Sequence, residues 1–309
     1  MSYLMNLTLR LSTGVAGLPE AMRDRHAASL TAAQHDDGGF AGRKGAGDLY
    51  YTSFALRSLA MLGVLDDRTA ARAAAFLKRE LDRPLSGIDF LSLVISAVLL
   101  EMAAGIDVFA DVGRDRRQAV IDFVEFFRRP DGGYAKTPRG GQGSTYHTFL
   151  VAVCKEIVGI PLDGTQQMIE LVRSRQREDG GFVEVAPMRQ GGTNPTAAAV
   201  GLLKMLDALD EPTRTTAGRF LAGMQTAEGG LRANTRIPVA DLLSTFTGLV
   251  ALSDLDAASA VDAAAALRFV ERLQQPGGGF RAGAFDDAVD VEYTFYGLGA
   301  LALLTQQQG

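Results

Sequence analysis

Residues 34–40 read Gln-His-Asp-Asp-Gly-Gly-Phe, and residues 48–52, which follow a short basic loop, read Asp-Leu-Tyr-Tyr-Thr. A double glycine ends a helix readily because glycine adopts backbone angles that other residues avoid. An aspartate before an apolar run is a favoured N-cap, since its carboxylate accepts the free N–H groups of the first helical turn. The stretch therefore predicts the end of one helix, a turn, a basic loop and the capped start of a second helix.

The same pattern returns along the chain. Double glycines stand at 38–39, 132–133, 180–181, 229–230 and 278–279, at intervals of 94, 48, 49 and 49 residues. The first interval is about twice the others, so one copy has lost its glycines; it should lie near residues 85–87, before an apolar helix that opens at Asp89. A fixed period in this range is a strong sign of a repeat architecture.

Each repeat is predicted to hold two helices of opposite character. The helix before the glycines is amphipathic, as in residues 258–274, and the one after them is apolar on nearly every side, as in residues 293–301. An amphipathic helix lies at a surface, whereas a helix that is apolar all round must be buried. Strand patterns are absent. Six outer and six inner helices predict an all-α fold, a six-fold α/α toroid with a single domain over residues 1–309 and a short extra helix within residues 1–15.

Composition limits the class of protein. Of 309 residues, 47% are hydrophobic and 22% charged, which is ordinary for a soluble chain with a large core. A net charge of −5 argues against nucleic-acid binding, which needs a basic face. Cys154 is the only cysteine, so a reducing compartment is expected. Because no signal peptide and no uninterrupted apolar span are recognisable, we expect a cytoplasmic protein without a membrane span.

Most of the repeated residues have a structural explanation. Good N-cap residues are expected to open the inner helices: Asp48, Asp89, Ser144, Asn194, Asp241 and Asp290. Glutamines near the ends of outer helices are expected to tie neighbouring outer helices together: Gln34, Gln176, Gln225 and Gln274. We expect these residues to build the fold and to do no chemistry.

The loops between the glycines and the caps are basic. Eight cationic residues lie there: Arg43, Lys44, Lys136, Arg139, Arg189, Arg232, Arg236 and Arg281. The same loops contain three acidic residues, Glu184, Asp286 and Asp287, so the loops carry a positive net charge in a chain that is negative overall. The inner helices of a toroid run in one direction, so these loops and the partly positive helix N-termini should gather at one rim. Solubilising surface charge is the alternative explanation.

Aromatic residues occupy the first turns of the predicted inner helices and should line an apolar lumen. This predicted lining includes Tyr50, Tyr51, Tyr146, His147, Phe246 and Tyr293. A basic rim above an apolar lumen suits a ligand with an anionic head and an apolar tail.

The motif Gln-x-x-Asp-Gly-Gly-Phe-x-Gly-Arg over residues 34–43, with Asp-x-Tyr-Tyr-Thr over residues 48–52, resembles the repeat of the protein prenyltransferase β subunits. Squalene cyclase and other class II terpene cyclases share this repeat. The likeness covers the whole chain and is greatest to the geranylgeranyl transferase type II β subunit, notably in residues 289–298. It implies an α/α toroid that holds an isoprenoid diphosphate, and as partner a helical α-type subunit or a second copy of the chain.

The resemblance also implies which residues would hold zinc. In those transferases the ligands are an aspartate and a cysteine of the fifth repeat and a histidine of the last. Here the aspartate is Asp241, but the other two positions hold Leu243 and Tyr293. One carboxylate does not make a zinc site, so zinc is not expected and Asp241 and Tyr293 remain the only catalytic candidates. His147, in the wrong repeat, would reach zinc only if the site had moved.

Two other chemistries have motifs to compare with this sequence. Class II cyclases protonate an alkene with an Asp-x-Asp-Asp acid, and the chain has no such motif. Aspartates that cap helices accept N–H bonds, which favour the ionised form, so we expect poor general acids here. Residues Asp286, Asp287 and Asp290 match the Asp-Asp-x-x-Asp magnesium motif of class I terpene synthases, which have a different fold. Magnesium at these residues is therefore kept as an alternative.

The sequence thus predicts an isoprenoid-diphosphate-binding toroid. Its diphosphate would be held by Arg43, Lys44, Arg232 and Arg236. If the protein is an enzyme, we expect prenyl transfer or terpenoid modification without protein-bound zinc, in which tyrosines could stabilise an allylic cation. The alternative is a non-catalytic toroid that acts as a ligand-binding or protein-docking scaffold.

Overall fold

Helices form nearly all the regular structure of the computed structural model, which describes residues 1–110 and 115–306. The helices of this part of the chain are α1 (Tyr3–Ala16), α2 (Glu20–Ala32), α3 (Leu49–Leu62), α4 (Asp67–Glu80), α5 (Gly87–Ala104), α6 (Arg116–Glu125), α7 (Thr145–Ile157), α8 (Thr165–Ser174), α9 (Thr193–Met205), α10 (Glu211–Ala222), α11 (Leu242–Asp254), α12 (Ala263–Leu273) and α13 (Val291–Gln306). A 3-10 turn lies at Ala258–Ala260. The all-α prediction is confirmed, and twelve helices, α2 to α13, follow α1 in the described part of the chain.

The expectation that the chain has no strands is wrong in the last repeat. Strands β1 (Phe280–Gly283) and β2 (Asp286–Asp290) pair antiparallel, with Phe280 opposite Asp290. Earlier repeats pair at the same two loop ends as single bridges, for example Phe40 with Asp48. In the last loop this pairing extends into two short strands, and Arg281 and Asp287 on opposite strands form an ion pair at 3.0 Å.

The chain divides into two compact units. Unit 1 comprises Met1–Val120 and Leu273–Gly309, and unit 2 comprises Ile121–Arg272. In unit 1, α3 packs against α5 and α13, and α1 packs against α13 so closely that a Cβ on Gly14 would lie 2.3 Å from the Ala302 carbonyl oxygen. In unit 2, α9 packs between α7 and α11. The single domain predicted for residues 1–309 remains a prediction.

The glutamines have the predicted role. The Gln34 amide donates to the Gly38 carbonyl at 2.9 Å and to the Thr69 carbonyl of α4 at 3.0 Å. The Gln176 amide likewise bonds its own turn and Thr216 of α10. Gln225 bonds Asp262, before α12, and the Gln274 oxygen accepts from Arg25 of α2 at 3.1 Å. Each glutamine therefore joins the end of one outer helix to the next.

The N-cap predictions are correct at four of six helices. Asp48, Ser144, Asp241 and Asp290 each accept a backbone N–H of the following helix. Asp89 is not a cap, since α5 begins two residues earlier after Ser86, whose hydroxyl oxygen accepts the Asp89 N–H. Asn194 is not a cap either, because α9 begins after Gly192; its side-chain oxygen accepts from Thr247 at 2.7 Å.

Helix α5 is long and apolar enough to cross a membrane, judged by length and composition alone, and no other helix within the described residues meets that test. Half of it is buried, and it packs against α3 and α4. Core helices of soluble proteins commonly have this character.

An ion pair between a buried lysine and a partly exposed aspartate stabilises unit 2. Lys155 of α7 is almost completely buried and lies 2.7 Å from Asp163, which also bonds Arg128. Burial acts to raise the pKa of Asp163, but the hydrogen bonds from Lys155 and Arg128 prevail and lower that pKa to about 2. The ionised Asp163 therefore stabilises the fold above pH 3.8, and this contribution is lost as the pH falls towards 2.

Asp163→Asn is expected to lower the free energy of unfolding by about 1 kcal/mol at pH 7, a value reduced for the half-exposed carboxylate. The difference from wild type should shrink below pH 4, because protonation removes the same charge. Urea unfolding at several pH values measures it, with Glu178→Gln at an exposed site as the control. A constant difference down to pH 2 would contradict the assigned ion pair.

Candidate functional site

Three loops meet at one end of unit 2. They comprise residues 134–144, 182–192 and 231–241, and they precede α7, α9 and α11. The Thr145 N–H at the start of α7 donates to the Glu184 carbonyl at 3.0 Å, and the Thr193 N–H at the start of α9 donates to the Ala233 carbonyl at 2.9 Å. These bonds hold the second loop beside the start of α7 and the third loop beside the start of α9. We call the three loops and the first turns of these helices the loop end of unit 2.

The loop end of unit 2 is basic. It contains five cationic side chains with no carboxylate partner in the described part of the chain: Lys136, Arg139, Arg189, Arg232 and Arg236. Its acidic residues are Glu184 and Asp241. The Arg232 Nε is buried without a hydrogen-bond partner, and the guanidinium makes one long bond, 3.5 Å, to the Gly223 carbonyl. Unsatisfied donors together with helix N-termini favour an anion at this end.

Asp241 behaves differently from the expectation for a cap. Its Oδ1 accepts the Ser244 N–H at 2.7 Å and its Oδ2 accepts the Ser244 hydroxyl at 2.8 Å. Even so, burial prevails and raises the pKa of Asp241. The exposed caps Asp66 and Asp210 have lowered pKa values, as hydrogen bonding alone would give. Hydrogen bonds from helix N–H groups therefore do not by themselves set the pKa of a buried cap, because desolvation of the charge acts in the opposite direction and prevails at Asp241.

The residues at the family's zinc positions do not fit zinc. Both oxygens of Asp241 are engaged by Ser244, and Leu243 has no donor atom. Within residues 1–110 and 115–306, no three side chains of histidine, cysteine, aspartate or glutamate are close enough to hold a metal ion. We therefore derive no chemical step through zinc.

The aromatic residues predicted for unit 2 are exposed to different degrees. Tyr146 is 36% exposed, and its ring meets the ring of His147 edge to face at 5.7 Å. Phe149 of the same helix is partly exposed, whereas Phe246 of α11 is buried. His147 is buried on most sides and bonds Ser144. Tyr146 and Phe149 are thus the larger apolar surfaces of α7 that a ligand could reach.

In unit 1 the predicted cation Arg43 is already paired. Its guanidinium bonds the Asp286 carboxylate, and its Nε lies 3.5 Å from the buried Asp290 carboxylate. Lys44 is exposed and pairs with no carboxylate of the described residues. A diphosphate at Arg43 would have to displace Asp286, so unit 1 offers a weaker anion site than the loop end of unit 2.

The three aspartates of the predicted magnesium motif form ion pairs with two different arginines. Asp286 and Asp290 face Arg43, while Asp287 pairs with Arg281 at 3.0 Å and its side chain is otherwise fully exposed. Within the described part of the chain, these three carboxylates are not gathered closely enough to share one ion. Magnesium at the three aspartates stays a prediction, which metal analysis of the purified protein tests.

Aromatic side chains form a cluster in unit 1. Tyr50 and Tyr296 each contact Phe54 edge to face, with ring centres 4.9 and 5.3 Å apart. Arg57 lies over the Phe295 ring at 4.1 Å. Tyr51 and Tyr293 stand at the edge of this cluster and are partly exposed. The structure therefore brings the aromatic residues predicted for α3 and α13 together, and it adds Arg57, which the sequence did not single out.

Glu292 is a second residue that the sequence reasoning missed. Its Oε1 accepts the Tyr50 hydroxyl at 2.7 Å and the Tyr296 hydroxyl at 3.1 Å. Burial and the charge of Asp290 raise the pKa of Glu292, although these hydrogen bonds act in the opposite direction. Glu292 comes two residues after the cap Asp290, in a sequence rich in acidic residues, and was therefore not singled out. A carboxylate in the first turn of a buried helix is the signal that could have identified it.

Glu292→Gln is expected to raise the thermal stability above that of wild type at pH 8. A raised carboxyl pKa in the fold means that stability falls as the pH rises through that pKa, and glutamine has no charge to bury. Below the ordinary pKa near 4.5 the gain should disappear, because Glu292 is then protonated. Melting temperatures at pH 4 and 8 test this, with the exposed Asp36→Asn as control; equal gains at both pH values would contradict it.

Comparison with known proteins places the chain in a family. Its sequence matches the prenyltransferase alpha-alpha toroid domain over residues 3–88 and 87–309. The chain therefore belongs to the prenyltransferase alpha-alpha toroid family, which confirms the resemblance and the fold class and supports a prenyl-related ligand at family level. No curated protein matches the chain significantly.

Solved structures show the same fold at low sequence identity. Protein geranylgeranyltransferase-I of Candida albicans, complexed with GGPP, is 13% identical with a TM-score of 0.71, covering 93% of this chain and 92% of that one. The type II terpene cyclase MstE of Scytonema, as the R337A variant with geranylgeranyl dihydroxybenzoate, is 15% identical with a TM-score of 0.63, covering 98% and 99%. The Lin0763 protein of Listeria innocua is 13% identical with a TM-score of 0.63, covering 93% and 97%.

Proposed function

We propose that the protein binds an isoprenoid diphosphate at the loop end of unit 2. The observation that carries the proposal is the group of five loop cations that have no carboxylate partner among the described residues, next to the N-termini of three buried helices. Phosphate oxygens satisfy such donors, and the partial positive charge of helix N-termini adds to the attraction. Membership of the prenyltransferase alpha-alpha toroid family supports a prenyl group as the apolar part of the ligand.

Arg232 and Arg236 hold the diphosphate in this proposal. Both belong to the loop before α11, and Arg232 has a buried Nε without a partner in the described part of the chain. Arginine suits this role because its planar fork of N–H groups matches phosphate geometry. Lys136, Arg139 and Arg189 on the neighbouring loops supply further positive charge.

The isoprenoid tail lies on the apolar side chains of the first turns. Tyr146, Phe149 and Leu243 are partly exposed there, and Phe246 is buried in α11. Burying such a chain gains about 25 cal/mol for each Å² of apolar surface removed from water. A charged head and an apolar tail thus meet complementary surfaces of one unit.

The binding test compares three ligands. Geranylgeranyl diphosphate is expected to raise the melting temperature most, inorganic pyrophosphate less, and geranylgeraniol least, because only the first offers both head and tail. A ligand at 100 times its Kd adds about 2.7 kcal/mol to the stability of the fold. Binding of the diphosphates should weaken with added salt. No shift with any of the three would refute the proposal and favour the docking-scaffold alternative.

The scaffold alternative makes its own prediction. A docking module would bind a helical α-type subunit or a second copy of the chain without any isoprenoid. Light scattering of the purified chain, alone and with geranylgeranyl diphosphate, reports the assembly state, and an assembly that forms without isoprenoid binding would favour the scaffold.

A further inference from the structure

Three side chains of the loop end of unit 2 form a hydrogen-bonded chain. The Ser144 Oγ caps α7 by accepting the His147 backbone N–H at 3.1 Å. The same Oγ lies 3.0 Å from the His147 Nδ1 and donates to the Glu184 Oε1. The other carboxylate oxygen of Glu184 accepts the Tyr146 N–H at 3.2 Å. Serine, histidine and glutamate thus meet at the first turn of one buried helix.

The protons of this cluster can be placed by counting donors and acceptors. A serine hydroxyl has one proton and two lone pairs. Its proton lies towards Glu184, because a hydroxyl and a carboxylate oxygen in contact repel each other without a proton between them. Glu184 lies at the N-terminus of α7, where the helix dipole attracts negative charge. The Ser144 Oγ must then accept from Nδ1, so Nδ1 carries the imidazole proton.

The consequence for His147 is a free lone pair on Nε2. Burial and the charge of Lys136 lower the pKa of His147 to about 4, so the ring is neutral at pH 7 and has a single N–H, at Nδ1. No protein group of the described residues hydrogen bonds to Nε2. Some side-chain polar atoms of the described residues are fully buried and have no hydrogen-bond partner. All of these are arginine Nε atoms, so Nε2 of His147 is not one of them. Nε2 therefore carries a lone pair to which no protein group of the described residues donates.

We propose that His147 is a general base for a phenol-bearing acceptor, with Ser144 and Glu184 as positioning residues. The exposed Tyr146 ring beside His147 offers a flat surface on which a phenol ring can stack. A weak base requires an acidic hydroxyl, and the charge of Lys136 favours the oxyanion that forms. Phenols meet both requirements, whereas aliphatic alcohols do not.

The proposed reaction transfers the isoprenoid to the phenol, and it rests on the proposed function because its second substrate is the isoprenoid diphosphate. The phenol O–H bond breaks and its proton passes to Nε2. The phenol oxygen uses the released electron pair to bond the first carbon of the isoprenoid. The bond between that carbon and the diphosphate oxygen breaks, and diphosphate leaves with the electron pair. The imidazolium keeps its Nδ1–H on Ser144, and its positive charge is stabilised by Glu184 through that hydroxyl.

The protein contains its own controls for this histidine. His26 accepts the Gly279 N–H at Nδ1 at 3.0 Å, and its Nε2 lies 3.2 Å from the Gln274 oxygen. Because an amide oxygen only accepts, His26 must be the opposite tautomer, with Nε2 protonated and no free nitrogen. His35 is exposed. The chain has three histidines, so each can be assigned.

Nitrogen NMR of protein labelled at histidine distinguishes the two tautomers. We expect the Nδ1–H form for His147 and the Nε2–H form for His26. In Glu184→Gln the new amide can donate to Ser144, whose hydroxyl then turns to Nδ1, so His147 should change to the Nε2–H form while His26 stays the same. An Nε2–H form of His147 in the wild type, or no change in a folded Glu184→Gln, would overturn the proposal.

Chemical modification tests whether Nε2 is open. At pH 7, diethyl pyrocarbonate should modify His147 and His35 and spare His26, since it attacks accessible, unprotonated nitrogen. Protection of His147 equal to that of His26 would overturn the proposal. Neither test uses an isoprenoid, so a failure of geranylgeranyl diphosphate to bind refutes the proposed function separately.

The reaction itself is tested with phenol and geranylgeranyl diphosphate. The wild type is expected to form the phenyl ether, and His147→Gln should form it at least about 100-fold more slowly, in the range of general base catalysis. Geranylgeranyl diphosphate that binds without forming this ether would overturn the assigned acceptor class while leaving the binding function intact.

Discussion

Replacing Arg232 and Arg236 together by glutamate is expected to raise the Kd for geranylgeranyl diphosphate by a factor of about 100 or more. Each charge-assisted hydrogen bond to phosphate contributes roughly 1.5–3 kcal/mol, and a factor of ten in Kd corresponds to about 1.4 kcal/mol. The introduced carboxylates would also repel the diphosphate. Titration calorimetry with the purified variant measures the change.

The matched control for this experiment is Arg219→Glu with Arg268→Glu. Both residues are exposed and lie on α10 and α12, outside the residues that define the loop end of unit 2, and the change in net charge is the same. We expect the control to alter the Kd less than about three-fold, through the long-range field alone. Equal loss of affinity in both double variants would mean that net charge, and not these two arginines, governs binding. Retained affinity in Arg232→Glu with Arg236→Glu would place the head group elsewhere.

The largest effect on stability is expected from Gly38→Ala, in the stretch that begins the repeat pattern. Gly38 has φ +91°, and a Cβ there would lie 2.2 Å from the Arg72 carbonyl oxygen of α4. The carbonyl belongs to a helix and cannot move away, so we expect a loss of at least about 3 kcal/mol in the free energy of unfolding. Urea unfolding measures this loss, and failure to fold would agree with it.

Gly63→Ala measures the cost of backbone strain alone, without the steric clash expected for Gly38→Ala. Gly63 ends α3 with φ +71°, also in the left-handed region, but no atom of the described residues lies within 4 Å of the position that a Cβ would take. We expect this variant of the same unit to lose only about 1 kcal/mol. Similar losses in the two variants would show that the contact between the turn and α4 is unimportant, contrary to the geometry.

Much of the fold could be predicted because the repeat supplies many copies of one local signal. A glycine turn, a glutamine four residues before it and a cap after the loop recur with little change, so an error in one copy is corrected by the others. The cap prediction failed at two copies. Helix α5 begins after Ser86, which is itself a good cap residue three positions before Asp89, and α9 begins after Gly192 and not at Asn194.

The candidate site was less predictable because its contacts join distant parts of the chain. Arg43 meets Asp286, 243 residues away, and this pairing removes a cation that the sequence alone counts as available. Glu184 reaches Ser144 across one repeat, 40 residues away. Burial was the other missing factor: the sequence identifies Asp241 and Asp290 as caps, but their raised pKa values depend on how much water the finished fold excludes.

Unit 1 takes its elements from both ends of the chain, and this has a consequence for synthesis on the ribosome. Helix α13 packs against α1 and α3, and Gln306 donates to the Arg10 carbonyl at 2.8 Å. The first 120 residues therefore leave the ribosome long before the last helix that covers them, whereas all of unit 2 is available earlier. We expect unit 2 to resist protease first in stalled nascent chains, and the N-terminal segment to need chaperones until α13 has emerged.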